Sequence, residues 1–140
     1  MKRKTPAEEI RAAPETSGPC PLVCEARCCR YITTVLPPPK RKVEFDELSW
    51  FLAHEGVSIY VQGRRWHLEV AVTCRYLRPD NLCAIYENRP SVCRDHEPEA
   101  CEHSAAIEYA LHFKTREEFD RWCAERRERE KRRRSSSHRR

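Results

Sequence analysis

Hydrophobic and polar residues alternate along two short stretches in the middle of the chain. Val57, Ile59 and Val61 share one face of VSIYVQ, and Trp66, Leu68, Val70 and Val72 share one face of WHLEVAV. Gly63-Arg64 stands between them, so the two runs predict a β-hairpin. Upstream, Tyr31 to Leu36 is short and β-branched and predicts a strand, which Pro37-Pro38-Pro39 ends in an extended linker. Between linker and hairpin, Asp46 is expected to cap a helix over about 46–55, with Leu48, Phe51 and Leu52 on one stripe and Gly56 as its stop. Ile107, Tyr109, Leu111 and Phe113 alternate along AIEYALHF and predict a third strand. Thr115-Arg-Glu-Glu118 has the form of a capping box, and Phe119 and Trp122 begin an apolar stripe. A helix is therefore expected from about 116 to 130, fraying in the tail that follows. The fold class predicted is α+β: a small antiparallel sheet with two helices and cysteine-rich loops.

Charge divides the chain differently. Of its 140 residues, 39% are hydrophobic and 35% charged, which allows only a modest core. Residues 1–19 have no periodicity and read as a disordered N-terminal segment. Residues 126–140 carry nine basic and two acidic side chains, a net of +7, and read as a basic disordered or fraying helical tail. Since the whole chain is +5 and the first nineteen residues +1, residues 20–125, taken as the folding domain, are near −3. The basic character thus belongs to the tail. An acidic partner or nucleic acid bound there is one functional reading.

A folding unit of this size with a small core needs a staple. The nine cysteines can supply one. No apolar stretch follows the initial MKRK and no run is long enough to span a membrane. The expectation is a cytoplasmic protein, where clustered cysteines serve as metal ligands or redox groups more often than as disulfides. Eight of them fall into two quartets: Cys20, Cys24, Cys28 and Cys29, then Cys74, Cys83, Cys93 and Cys101. Cys123 stands apart on the terminal helix and reads as a small core residue.

Four thiolates close a tetrahedral zinc site, and the same donors hold iron or an iron–sulfur cluster. Eight suffice for two centres, or for one with four cysteines otherwise employed. In extended chain the side chains of Cys28 and Cys29 point apart, so they can serve different centres, or one can ligate while the other packs. Ligands shared between the two quartets would clip a long loop. Pro79-Asp80-Asn81 is a turn that returns Cys83 toward Cys74. Ala84 to Glu87 reads as a single helical turn, and Pro90 as the start of another. Arg27, Arg30, Arg75 and Arg94 adjoin cysteines, with Arg78 and Arg89 near, so that guanidinium groups can favour thiolates. Asp95, His96 and His103 are auxiliary candidates as ligands or supporting groups; His54 and His67 read as structural.

The pattern C-x3-C-x3-CC, then C-x8-C-x-I-Y-x-x-R-P-x-x-C-R and a further Cys, resembles the YkgJ-type cysteine-cluster proteins, the CxxCxxCC family. It is carried by Cys20, Cys24, Cys28, Cys29, Cys74, Cys83, Ile85, Tyr86, Arg89, Pro90, Cys93, Arg94 and Cys101, and covers roughly residues 20–120. Three residues, Glu25-Ala26-Arg27, stand where the family's name implies two, and the glycine often found there is missing. The resemblance implies metal binding, zinc or iron, with the eight cysteines as ligands and no assigned reaction. It favours Arg89-Pro90 as a rigid loop that brings a guanidinium toward thiolates. Tyr86 can screen sulfurs from water or pack in a core.

Three functions compete on this reading: a zinc- or iron-chelating protein, an iron–sulfur redox protein or enzyme using the same cysteines, and a nucleic-acid or partner-binding module acting through the tail. The chain has no P-loop, GxGxxG, HExxH or Ser–His–Asp order, so catalysis would have to lie in the cysteines and their neighbours.

Overall fold

A computed structural model of the chain describes residues 25–95 and 108–137. Its elements in order are β1 (Tyr31–Leu36), α1 (Lys42–Phe51), β2 (Val57–Gln62), β3 (Arg65–Ala71), α2 (Ser91–Arg94), β4 (Leu111–Phe113) and α3 (Arg116–Ser137). Two 3-10 helical turns, Arg27–Cys29 and Tyr86–Asn88, accompany them. The fold is α+β, with a four-stranded sheet in the order β1-β3-β2-β4. Contacts divide the chain into two compact units. The described part of one consists of residues 32–71 and 108–137, and that of the other of residues 25–31 and 72–95. Among the described residues no helix is long and apolar enough to cross a membrane.

The first unit has the hydrophobic core. β2 and β3 pair antiparallel as the alternation predicts, with Val57 opposite Val70, Ile59 opposite Leu68 and Val61 opposite Trp66. The two-residue loop is Gly63-Arg64, and Gly63 takes a φ of 60°, which its missing Cβ permits. Ile59, Val61 and Trp66 are buried against Leu48 and Leu52 of α1, Phe113 of β4, and Phe119 and Cys123 of α3. Phe119 is fully buried, with Phe113 edge-on at 5.2 Å and Trp122 stacked at 5.9 Å. The Ser49 hydroxyl donates to the Asp120 carboxylate at 2.8 Å, which ties α1 to α3. On Tyr60, which alternates with the buried Ile59 and Val61, the His67 ring stacks at 4.7 Å, so His67 is structural.

Four boundaries differ from expectation, one of them the end of α1 at Phe51, four residues before the expected 55 and short of Gly56. Helix α1 begins at Lys42, and Asp46 lies inside it. The capping group is Glu44, whose carboxylate accepts the backbone N–H groups of Lys40 at 2.7 Å and Arg41 at 3.0 Å. These bonds hold the Glu44 carboxyl down, from the ordinary 4.5 to about 2. The third alternating run forms a strand only over Leu111–Phe113, where residues face β2; Ala106 and Ile107 lie outside the described residues.

Helix α3 starts as its capping box predicts: the Thr115 hydroxyl accepts the Glu118 N–H, and the Glu118 carboxylate accepts the N–H groups of Lys114 and Thr115. It then runs to Ser137 rather than fraying near residue 130. Pairs one turn apart sustain it, Arg126 with Glu130 at 2.9 Å and Lys131 with Glu128 at 2.9 Å.

Candidate metal centre

The other unit is built of turns and short helical pieces. Ala26 is the only buried hydrophobic residue among those described there. Glu25 and Ala26 have φ of 51° and 54°, a left-handed conformation unusual without glycine. These are the residues of the lengthened gap before the cysteine pair, and they hold a backbone conformation that favours glycine. The chain then enters the 3-10 turn Arg27–Cys29, closed by the Cys29 N–H on the Ala26 carbonyl at 3.0 Å.

That turn changes the reading of the adjacent cysteines. In a 3-10 turn Cys28 and Cys29 do not point to opposite sides as in a strand, and their thiols share a hydrogen bond. The Cys74 N–H donates to the Cys29 carbonyl at 2.7 Å, and the Val72 N–H to the Arg30 carbonyl at 3.0 Å. The cysteine pair and the start of the second cysteine segment are therefore joined backbone to backbone.

Cys83 arrives by the expected turn. The Asn81 N–H donates to the Arg78 carbonyl at 3.0 Å, Asn81 takes a φ of 62°, and the Asp80 carboxylate accepts the Leu82 N–H at 3.1 Å. Leu77 and Cys83 then form an antiparallel bridge. Arg30 closes the arrangement, its Nη2 donating to Asn81 Oδ1 and its Nε to the Glu25 carbonyl, both at 2.9 Å.

Three other thiols, Cys28, Cys74 and Cys83, lie within electrostatic reach of Cys29. Its thiol pKa is driven well above the ordinary range by the hydrogen bond with Cys28, by burial, and by the charges of Cys28, Cys74 and Cys83. Members of both sequence quartets thus act on one sulfur. Cys29 and Cys83 are half-buried, and Cys28 and Cys74 are exposed. Cys93 is exposed on α2 and is not among the groups that act on Cys29. Cys20, Cys24, Cys101, His96 and His103 lie outside the described residues. The six described cysteines are free thiols, and Cys123 is buried in the core of the other unit, as expected.

Four of the six arginines near the cysteines brace loops. Arg30 joins the two cysteine segments, Arg78 pairs with Asp80 at 2.7 Å, and Arg94 donates to the Arg89 carbonyl at 3.0 Å. Arg89 donates to the Tyr86 carbonyl, and its guanidinium lies 3.7 Å from the centre of the Tyr86 ring. Tyr86 is therefore a stacking surface for Arg89. The Arg30–Asn81 brace has a sequence signal only on one side, the Pro-Asp-Asn turn.

The donor chemistry suits a soft or borderline cation, since clustered thiols select zinc, iron and related metals over calcium or magnesium. The described donors are an incomplete set: no three His, Cys, Asp or Glu side chains among the described residues stand close enough to hold a metal ion.

An α+β protein with one ordinary apolar core, and with two distant cysteine segments joined on turns that lack such a core among the described residues, has the make-up of a cysteine-cluster protein. The chain belongs to the CxxCxxCC family, described as a "putative zinc- or iron-chelating domain", whose profile matches residues 19–126. No curated protein and no solved structure matches it.

Proposed function

We propose that the protein chelates zinc or iron at a centre seeded by Cys28, Cys29, Cys74 and Cys83, with Cys20, Cys24, Cys93 and Cys101 as the remaining ligands of that centre or of a second one. The observation that carries this reading is the backbone bond from the Cys74 N–H to the Cys29 carbonyl, which joins the two cysteine segments and makes Cys28, Cys74 and Cys83 neighbours of Cys29. Without a cation, those neighbours oppose ionisation of the Cys29 thiol, and so does its burial. A divalent cation reverses the balance, because it stabilises several thiolates at once.

Bound metal would supply a closed thiolate link between residues 28–29 and 74–83. The chain's own contribution is to hold the segments in register through the Cys74–Cys29 backbone bond and the Arg30–Asn81 brace. A reducing cytoplasmic compartment would keep the thiols available. Arrangement and family relationship favour a structural or chelating role, and no reaction is assigned.

Elemental analysis of the full-length chain, purified without oxygen and with thiols reduced, tests this. At least one zinc or iron per chain is expected, with loss of most of it in Cys29→Ser and in Cys83→Ser. Full metal content in both variants would contradict the reading. The visible spectrum separates a colourless zinc centre from a coloured iron–thiolate or iron–sulfur one.

A further inference from the structure

Helix α3 outlasts the core that anchors it. Its buried residues are Phe119 and Cys123, and Arg126 is the last to cover aromatic rings, those of Phe45 and Trp122. From Arg127 to Ser137 every residue is exposed. Arg127 still borders the groove lined by Phe45, Trp50 and Phe119, and from Glu128 onward, at 1.5 Å per residue, about 15 Å of helix has no apolar support.

Its composition is strongly one-sided. Residues 126–137 carry seven basic and two acidic side chains, and six of the seven are arginine. The acidic groups are already engaged within the helix, Glu130 with Arg126 and Glu128 with Lys131, and Glu125 faces Arg129 at 3.8 Å. Arg127, Arg132, Arg133 and Arg134 form no ion pair among the described residues. The acidic residues hold the helix together and leave four cations over.

Those cations lie around the helix and not along one stripe. At 100° per residue, Arg127 and Arg134 share one side with Lys131, while Arg133 lies with Arg126 and Arg129 on another. A flat acidic surface meets only one side of such a helix. The major groove of a DNA duplex, about 12 Å wide and bordered by phosphates on both sides, admits a helix and meets both. Guanidinium forks match phosphate oxygens in pairs. A membrane surface fits poorly, because residues 125–137 contain no apolar side chain to bury.

We infer that the projecting end of α3 binds the phosphate backbone of duplex DNA, without sequence preference, through Arg127, Arg132, Arg133 and Arg134. The test is fluorescence anisotropy of the full-length chain with a labelled 20-base-pair DNA duplex over a range of salt. Four contacts predict a slope of log K against log salt of about −3.6. The variant R132Q/R133Q/R134Q removes three of them, so its slope should fall to about −0.9. A 20-base-pair RNA duplex, whose major groove is too narrow for the helix, should bind more weakly.

Absence of salt-sensitive binding overturns the inference, as does a variant with the parent slope. Equal or tighter binding of the RNA duplex overturns the groove geometry, and binding to phosphatidylserine vesicles in place of DNA overturns the choice of partner. The three substitutions are on exposed positions far from Phe119 and Cys123, and helicity by circular dichroism checks that α3 is retained.

Discussion

Removing the metal should open the cysteine-bearing unit and leave the sheet closed. In that unit the hydrogen bonds available to hold the described segments include Cys74 N–H to the Cys29 carbonyl, Arg78 N–H to the Leu82 carbonyl and Ala84 N–H to the Tyr76 carbonyl, at 2.7, 2.9 and 2.9 Å. Each is worth about 0.5–1.5 kcal/mol net. Ordering each residue of the loop costs about 1–2 kcal/mol. Burial cannot make up the difference, because Ala26 is the only buried hydrophobic residue described there. A four-thiolate zinc site supplies roughly 10–16 kcal/mol in small peptides. If only about 4 kcal/mol of that opposes local opening, amide protection changes about a thousandfold on chelation.

Hydrogen exchange read by mass spectrometry, before and after a strong chelator under reducing conditions, measures this. Peptides covering 74–84 should lose about three orders of magnitude of protection, while those covering 57–70 keep theirs because Ile59, Val61 and Trp66 are buried in a core free of candidate ligands. Protection at 74–84 that survives proven removal of metal would refute the reasoning. So would equal loss in both peptides.

Two further outcomes follow from the same contacts. Cys123→Ser should leave the metal content unchanged and lower stability by about 1–3 kcal/mol in urea unfolding, since the hydroxyl replaces a buried thiol of the core; loss of metal would make Cys123 a ligand. Glu44, with its pKa lowered from 4.5 to about 2 in the folded chain, stabilises the start of α1 above pH 4.5 and ceases to do so as the pH falls through 2. Helicity followed by circular dichroism should therefore decline over that window in the parent and more weakly in Glu44→Gln, and identical acid profiles would contradict the capping role.

The hairpin was legible because its signal is local: alternation on both arms, and a glycine where the turn needs a positive φ. Strand β1 was legible for the same reason, with prolines to end it. The start of α1 was not, because its cap is a carboxylate reaching back from Glu44, while Asp46 offers a more familiar capping residue inside the helix. The length of α3 escaped for a related reason. Ion pairs one turn apart extend it beyond the last apolar residue, and a basic run reads as tail when only hydrophobic stripes are counted.

The cysteines were legible as a chemistry and only partly as an arrangement. Their number, their two groups and the return of Cys83 by the Pro-Asp-Asn turn could be read directly. The contact between the groups depends on Cys74 meeting the Cys29 backbone and Arg30 meeting Asn81, pairings across 45 and 51 residues that leave no trace in either segment alone. The adjacent pair stayed open between one centre and two, because its backbone conformation was not legible. Extended chain separates neighbouring side chains, whereas the 3-10 turn at Arg27–Cys29 brings the two thiols to one another.

X-ray absorption at the edge of the metal found in the full-length protein tests whether thiols from both segments share that metal. The account predicts a first shell of sulfur alone, about four atoms at roughly 2.3 Å if the metal is zinc, with sulfur lost from that shell in Cys29→Ser and again in Cys74→Ser. A shell of nitrogen and oxygen, or one unaltered in both variants, would contradict it.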